Sequence, residues 1–188
     1  MTHAELEAGL DAISQSPKDG GRVEMIVRRP RTNEREVLEV GEIDLVEGLA
    51  GDKWRFDGSS TTLDGSADPD AQITIMNSRA IDLIAGGRDR WAIAGDQLYI
   101  DLDLSQINIP PGTRLAIGEA EIELTAKPHT GCGSFKRRFG GDATKFVNSP
   151  LGRQLQLRGV NAKVIKPGAI RVGDIARKTA HDHEDSIK

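Results

Sequence analysis

Hydrophobic positions along this chain change period several times, and the changes outline the fold. Thr2-His3-Ala4-Glu5 has the form of a capping box, and Leu6, Leu10 and Ile13 then recur at helical spacing before Pro17 and Gly20-Gly21 end the pattern. Residues 1–20 are therefore expected to form a helical appendage. From residue 23 the pattern turns to that of strands. Val23 to Arg29 and Glu36 to Asp44 are predicted strands, separated by a turn over Pro30 to Asn33. A glycine-marked loop follows at Gly48 to Trp54, and residues 57–71, rich in Gly, Ser, Thr, Asp and Pro, predict a mobile loop or lid.

Gln72 to Met76 is a short apolar strand, and Asn77 or Ser78 is placed to cap a helix carrying Ile81, Ile84 and Ala85 on one face. Leu98 to Leu102 alternates apolar and polar residues. Leu115 to Ile117 and Ala120 to Leu124 flank Gly118-Glu119, a hairpin signature. Ser134 is expected to cap a single helical turn ending at Gly140-Gly141, with another short helix from Asp142 through Val147. A second hairpin is expected from Val160 to Ile165 and Ala169 to Val172, around Pro167-Gly168. The polar tail, 177–188, reads as disordered. Many short strands, brief helices and Gly/Pro turns predict a mainly β, barrel-like domain over residues 21–176. The pattern shows no internal repeat, no βαβ alternation and no phosphate-loop or dinucleotide glycine signature.

Composition adds two constraints. Aromatics are only 4% of the 188 residues, so the core must be mostly aliphatic, and one cysteine in a chain lacking a basic, apolar leader points to a reducing, cytoplasmic setting. No apolar run reaches the roughly 18 residues of a membrane span. Charge is unevenly distributed. Lys127 to Lys166 holds nine cations and one anion, a net +8, so with −4 overall the remainder carries −12. Such a segment suits an anionic ligand, or is simply a solvated basic face. It holds three aromatics, and of these Phe135 and Phe139 read as packing residues rather than base-stacking platforms, which argues against nucleic acid.

The lone cysteine lies inside that segment, in Lys127-Pro128-His129-Thr130-Gly131-Cys132-Gly133-Ser134-Phe135-Lys136-Arg137-Arg138. Neighbouring cations favour the thiolate, which is both nucleophile and soft metal ligand. A buried, inert thiol is the alternative. His129 is placed to hold a proton, or is a solvated loop residue. His129 and Cys132 give only two ligands and no second Cys/His pair follows, which argues against a zinc site.

With strands and cysteine loop in place, the chain resembles a stand-alone MOSC domain, the family named for the C-terminal domain of molybdenum cofactor sulfurases. The resemblance rests on Gly48-Leu49-Ala50-Gly51-Asp52, Ala94-Gly95-Asp96-Gln97-Leu98, Leu115 through Cys132, and Arg158-Gly159-Val160 through Gly173-Asp174. It implies a barrel that binds the molybdenum cofactor (molybdopterin). Cys132 would then either ligate molybdenum or carry a persulfide, and the family's known enzymatic activity is reduction of N-hydroxylated small substrates. Under that resemblance Lys136, Arg137, Arg138 and Arg158 would meet the cofactor's phosphate or pterin carbonyl, although three consecutive residues cannot all face one site. Thr130 adjoins them. Lys53 and Trp54 would line the pocket opposite, and Asn77 either reaches the cofactor or caps its helix. The resemblance implies an oxidoreductase drawing electrons from a partner protein, since no flavin, haem or iron–sulfur motif is present. A sulfur carrier fed by a cysteine desulfurase, or a non-catalytic module binding an anion or partner, fits the same residues. Where many relatives have a histidine-rich stretch after the first Gly-Asp, this chain has Lys53-Trp54-Arg55-Phe56-Asp57, so no substrate is carried over.

Overall fold

The structure, a computed structural model, describes residues 1–59 and 62–179. Two helices, α1 (His3–Ala8) and α2 (Leu10–Ser14), precede strands β1 (Gly21–Arg28), β2 (Glu36–Leu38), β3 (Val40–Asp44), β4 (Gly48–Leu49) and β5 (Ile73–Asn77). Then come α3 (Ser78–Ala85), β6 (Leu98–Asp101), β7 (Arg114–Ile117), β8 (Ala120–Leu124), α4 (Gly133–Asn148), α5 (Pro150–Gln154), β9 (Val160–Lys166), β10 (Gly168–Arg171) and β11 (Ile175–Thr179).

Seven strands close a barrel in the order β11-β7-β8-β9-β5-β6-β1, with β1 pairing back to β11 and β2 attached to β1. The barrel interior is the aliphatic core that the composition required: Val23, Ile26, Ile73, Ile75, Leu98, Ile100, Leu115, Ile122, Val160 and Ala162 belong to one buried cluster. Period-two alternation puts the intervening residues on the opposite face. Val27, Met76 and Tyr99 point out of the barrel into a second cluster, where α1, α3 and α4 cover them with Leu6, Ile81, Phe135 and Phe146. An irregularity in the β1–β6 register between Val23 and Met25 switches β1 between faces, so Met25 joins the outer cluster while Ile26 returns to the inner one.

The capping box, the α3 cap at Asn77 and the β7–β8 hairpin form as expected: Thr2 and Glu5 bond reciprocally, Ala80 N donates to Asn77 Oδ1, and Leu115 pairs with Ile122. Four expectations are corrected. First, β5 and β6 are adjacent and parallel, joined through α3, so the fold does contain one βαβ unit. Second, Val160–Ile165 and Ala169–Val172 do not form a hairpin. Strand β9 has both edges occupied, by β8 and β5, so β10 leaves the barrel and pairs with β3 in a small sheet with β4. Third, the predicted tail begins too early, because Arg177, Lys178 and Thr179 pair with β7 and help close the barrel. Residues 180–188, with His181 and His183, lie outside the described residues, as do 60 and 61 of the expected lid. Fourth, the N-terminal segment is integrated, with Leu6 fully buried and Pro17 O accepting from Asp103 N at 2.8 Å.

Candidate functional site

The two Gly-Asp turns build the site. Asp52 and Asp96 follow glycines at loops after β4 and before β6, and both are buried. Each holds an arginine. Asp52 accepts from Arg29 Nε at 2.9 Å and Nη2 at 2.8 Å, and also from the Arg29 and Trp54 backbones. Asp96 accepts from Arg158 Nη1 at 2.9 and 2.7 Å, one contact to each carboxylate oxygen. Arg29 Nη1 donates to Gly95 O at 2.9 Å, linking the two turns. Sequence reading treated these aspartates only as family markers; an acid following a glycine turn beside a buried strand was the available signal.

Asp96 also lies 3.0 Å from His129 Nε2. Burial favours the neutral acid, but the Arg158 charge and the hydrogen bond from His129 outweigh it and hold the Asp96 carboxyl far below the usual range. Because an ionised carboxylate only accepts, the His129 nitrogen facing it is assigned the hydrogen, leaving Nδ1 as the basic nitrogen. Burial and the Arg158 charge lower the His129 pKa more than Asp96 raises it, so the ring is neutral near pH 7.

The cysteine loop is tied down by a reciprocal pair, Gly131 N to Asn148 Oδ1 and Asn148 Nδ2 to Gly131 O, both 2.9 Å. A side chain at Gly131 would press on Val147 and Asn148, so only glycine permits this approach. Cys132 itself, rather than Ser134, is the N-cap of α4: Lys136 N bonds Cys132 O at 2.9 Å, which places Ser134 inside the first turn, where its Oγ accepts from Arg137. The break expected at Gly140 is present, with a non-helical φ of 90°, and a second helical stretch runs from it to Asn148 as expected; only the first stretch is longer than the single turn expected. The thiol is exposed. Partial burial pushes the Cys132 thiol up, but the Phe135 and Ser134 backbone N–H groups and the Arg158 charge more than reverse this, and its pKa is lowered. Alkylation of native protein by iodoacetamide should therefore show a rate inflection below that of an ordinary thiol, about pH 8.5, returning to it in denaturant. Coincident native and denatured profiles would contradict the assignment.

Beside the loop is a cavity of about 460 Å³ whose lining includes Lys127, His129, Thr130, Arg153, Gln156 and Arg158. No carboxylate is among its lining residues. Gln156 takes a left-handed φ of 50°, rare outside glycine. Of the residues selected from sequence, His129, Thr130 and Arg158 meet here, and Cys132 follows two residues beyond Thr130 without lining the cavity. Lys136 and Arg137 are exposed and away from it. Arg138 points to Gly95 instead. Lys53 pairs with Asp57 and Trp54 Nε1 bonds Asp68 O at 3.3 Å, and neither lines the cavity. Asn77 is corrected to a purely structural position. It is buried, and its amide is consumed by Ser16 Oγ, Leu102 O and the α3 cap.

Together these define a β-barrel protein with an exposed thiol of lowered pKa beside a recess lined by Lys127, Arg153 and Arg158. The chain belongs to the MOSC domain family, which it matches over residues 62–177. Similar solved structures include one titled as the YUAD protein from Bacillus subtilis, at 15% identity over 85% of this chain and 96% of that one, with a TM-score of 0.56. YiiM from Escherichia coli is 17% identical over 85% of this chain and 70% of its own, with a TM-score of 0.53. A structure titled only as a hypothetical protein is 16% identical over 86% and 68%, with a TM-score of 0.58. At these identities they bear on the fold alone. No curated protein matches. Among the described residues, no helix is long and apolar enough to cross a membrane.

Proposed function

We propose that this protein binds the molybdenum cofactor and acts as an oxidoreductase on a small substrate, with Cys132 as the protein ligand to the metal. The observation that carries this reading is the exposed, low-pKa thiol at the head of α4, beside a recess lined by cations and no acid. The residues fit the group. A thiolate matches a metal already bound through sulfur, and the buried Arg158 Nε has no partner, a donor available to an anionic or carbonyl group. When bound, the cofactor would supply two-electron chemistry at the metal. Cys132 would anchor it, the Arg158 charge would steady the thiolate, and the neutral His129, oriented by Asp96, would offer Nδ1 as the proton-accepting nitrogen. Thr130 and the cavity beside it would receive the substrate. An electron-donor protein would complete the reaction.

Protein from a host that makes the cofactor is expected to carry molybdenum and pterin, measured by plasma mass spectrometry and by fluorescence of the oxidised pterin. Cys132→Ala should lose the metal. Absence of both from purified and reconstituted wild type would end this reading. The exposure of Cys132 also supports a second one, a sulfur carrier, because a delivering desulfurase must reach the thiol. Intact mass after incubation with a cysteine desulfurase would then show one added sulfur, absent in Cys132→Ser.

A further inference from the structure

A second cationic cluster lies on the other side of the Asp96 turn, on residues outside the cavity. Arg35 follows the loop from β1 to β2, and Arg138 comes from the first half of α4. A Cβ built on Gly95 would lie 3.3 Å from Arg138 Nη1 and 3.3 Å from Arg35 Nη2, so two guanidinium groups converge on one small volume above a bare backbone. Neither forms an ion pair with a carboxylate among the described residues. Arg35 Nη1 donates to its neighbour's carbonyl, Glu34 O, and its Nε is buried with no partner. Arg138 Nη2 reaches Asn33 Oδ1 only at 3.5 Å, and Asn33 itself holds a left-handed φ of 66°.

The surrounding charges deepen the imbalance. Arg29 is nearby but committed to Asp52 and Gly95 O. Arg90 Nη2 donates to Arg138 O at 3.2 Å, bringing another cation to the rim. Burial, followed by repulsion from Arg138 and Arg29, lowers the Arg35 pKa, with Tyr99 and Asp52 offsetting only part. Like charges brought together at a cost, with an orphaned donor between them, are what a protein shows when an anion completes the arrangement.

We propose that Arg35 and Arg138 form a binding site for a phosphate group, held by guanidinium nitrogens over the Gly95 turn. The phosphate is either that of the cofactor or a free phosphate. Assigning it to the cofactor rests on the functional reading above; the anion site does not. The position suits the first source, since Gly95 precedes Asp96, whose partners are His129 and Arg158, and Arg138 shares its helix with Cys132.

The test has two arms. In the first, inorganic phosphate is titrated at constant ionic strength into the purified chain while arginine Nε–Hε resonances are followed by NMR. The Arg35 and Arg138 signals should shift saturably and that of Arg79, held by Asp101, should not, and Arg35→Gln and Arg138→Gln should each weaken binding at least about tenfold. Because Arg35→Gln removes repulsion, it should also melt higher than wild type in low-salt, phosphate-free buffer and gain nothing from added phosphate. Shifts no larger than chloride produces, or unchanged affinity in both variants, would overturn the proposal. In the second arm, pterin retention is compared in protein from a cofactor-producing host. Loss of pterin in Arg35→Gln assigns the phosphate to the cofactor; full retention, with phosphate binding intact in the first arm, assigns the site to free phosphate. If wild type itself holds no pterin, the functional reading fails and the first arm still decides the anion site.

Discussion

Replacing Asp96 by Asn should destabilise the protein by about 3–5 kcal/mol, because it leaves the Arg158 guanidinium buried without a counter-charge. Arg158 is 6% exposed, and its other contacts include the Ala94 carbonyl at 3.3 Å, Met76 Sδ at 4.0 Å and the face of Phe135, whose ring centroid lies 4.9 Å from its central carbon. None of these neutralises a charge. In a chain of this size each kcal/mol moves the melting temperature by roughly 2–4 °C, so a fall of about 6–20 °C is expected, with a matching loss in urea. Pairing Asp96→Leu with Arg158→Met should recover much of that loss, since an apolar pair removes the desolvation cost of both ions. Asp96→Asn within about 1 kcal/mol of wild type would show that the pair is not what holds these loops. Acid should reproduce part of the effect. The Asp96 carboxyl is depressed in the folded state, so its contribution is complete above the unfolded value near pH 4 and is lost as pH falls through the lower folded value. His129 is also depressed, so the unfolded chain takes up its proton first, and stability begins to fall below about pH 6.5. His129→Gln should remove that upper portion and leave the lower one.

Gly159→Ala is expected to be at least as damaging. At Gly159 φ is 105°, a conformation that strains any side chain, and a Cβ there would sit 2.2 Å from Ile75 O and 3.1 Å from Ile75 C. Those are backbone atoms of β5 at the point where Val160 pairs with Ile75 to start β9, so no rotamer change can relieve the clash. Strain of about 1–3 kcal/mol from the backbone adds to the overlap, and either the strand start or the Arg158 turn must move. The expected outcome is protein that folds poorly or melts far below wild type, with thiol reactivity at Cys132 drifting toward the denatured value. Normal stability with normal Cys132 reactivity would mean that β9 can begin elsewhere.

The fold was readable where a local rule was enough. Thr2 and Glu5 cap a helix on their own chemistry, Asn77 caps α3 the same way, and Gly118-Glu119 turns a hairpin between neighbours in sequence. It was unreadable where the answer depended on which strand edges were already taken. Nothing within residues 160–172 reveals that β8 and β5 occupy both sides of β9, or that Arg177 to Thr179 have a partner in β7. Site residues divide the same way. Cys132, His129, Thr130 and Arg158 lie in or near one basic segment, so charge counting reached them. Lys136 and Arg137, chosen for the same charge, face solvent because consecutive helical residues point in different directions. Asp52, Asp96, Arg29 and Arg35 are far from that segment in sequence, so the two aspartates entered only as family markers and the two arginines were not selected at all.

The sequence by itself determined an aliphatic, mainly β domain of the MOSC family and singled out a lone thiol set among cations. Tertiary structure alone decided what that thiol and those cations do electrostatically. It buried Asp96 between Arg158 and His129, which cancels one cation, while burial and the Arg158 charge keep the ring neutral against the pull of Asp96. It also left Arg35 and Arg138 converging with no carboxylate paired to either among the described residues. Periodicity is a property of adjacent residues, whereas charge compensation is a sum over neighbours in space, and only the closed barrel defines those neighbours.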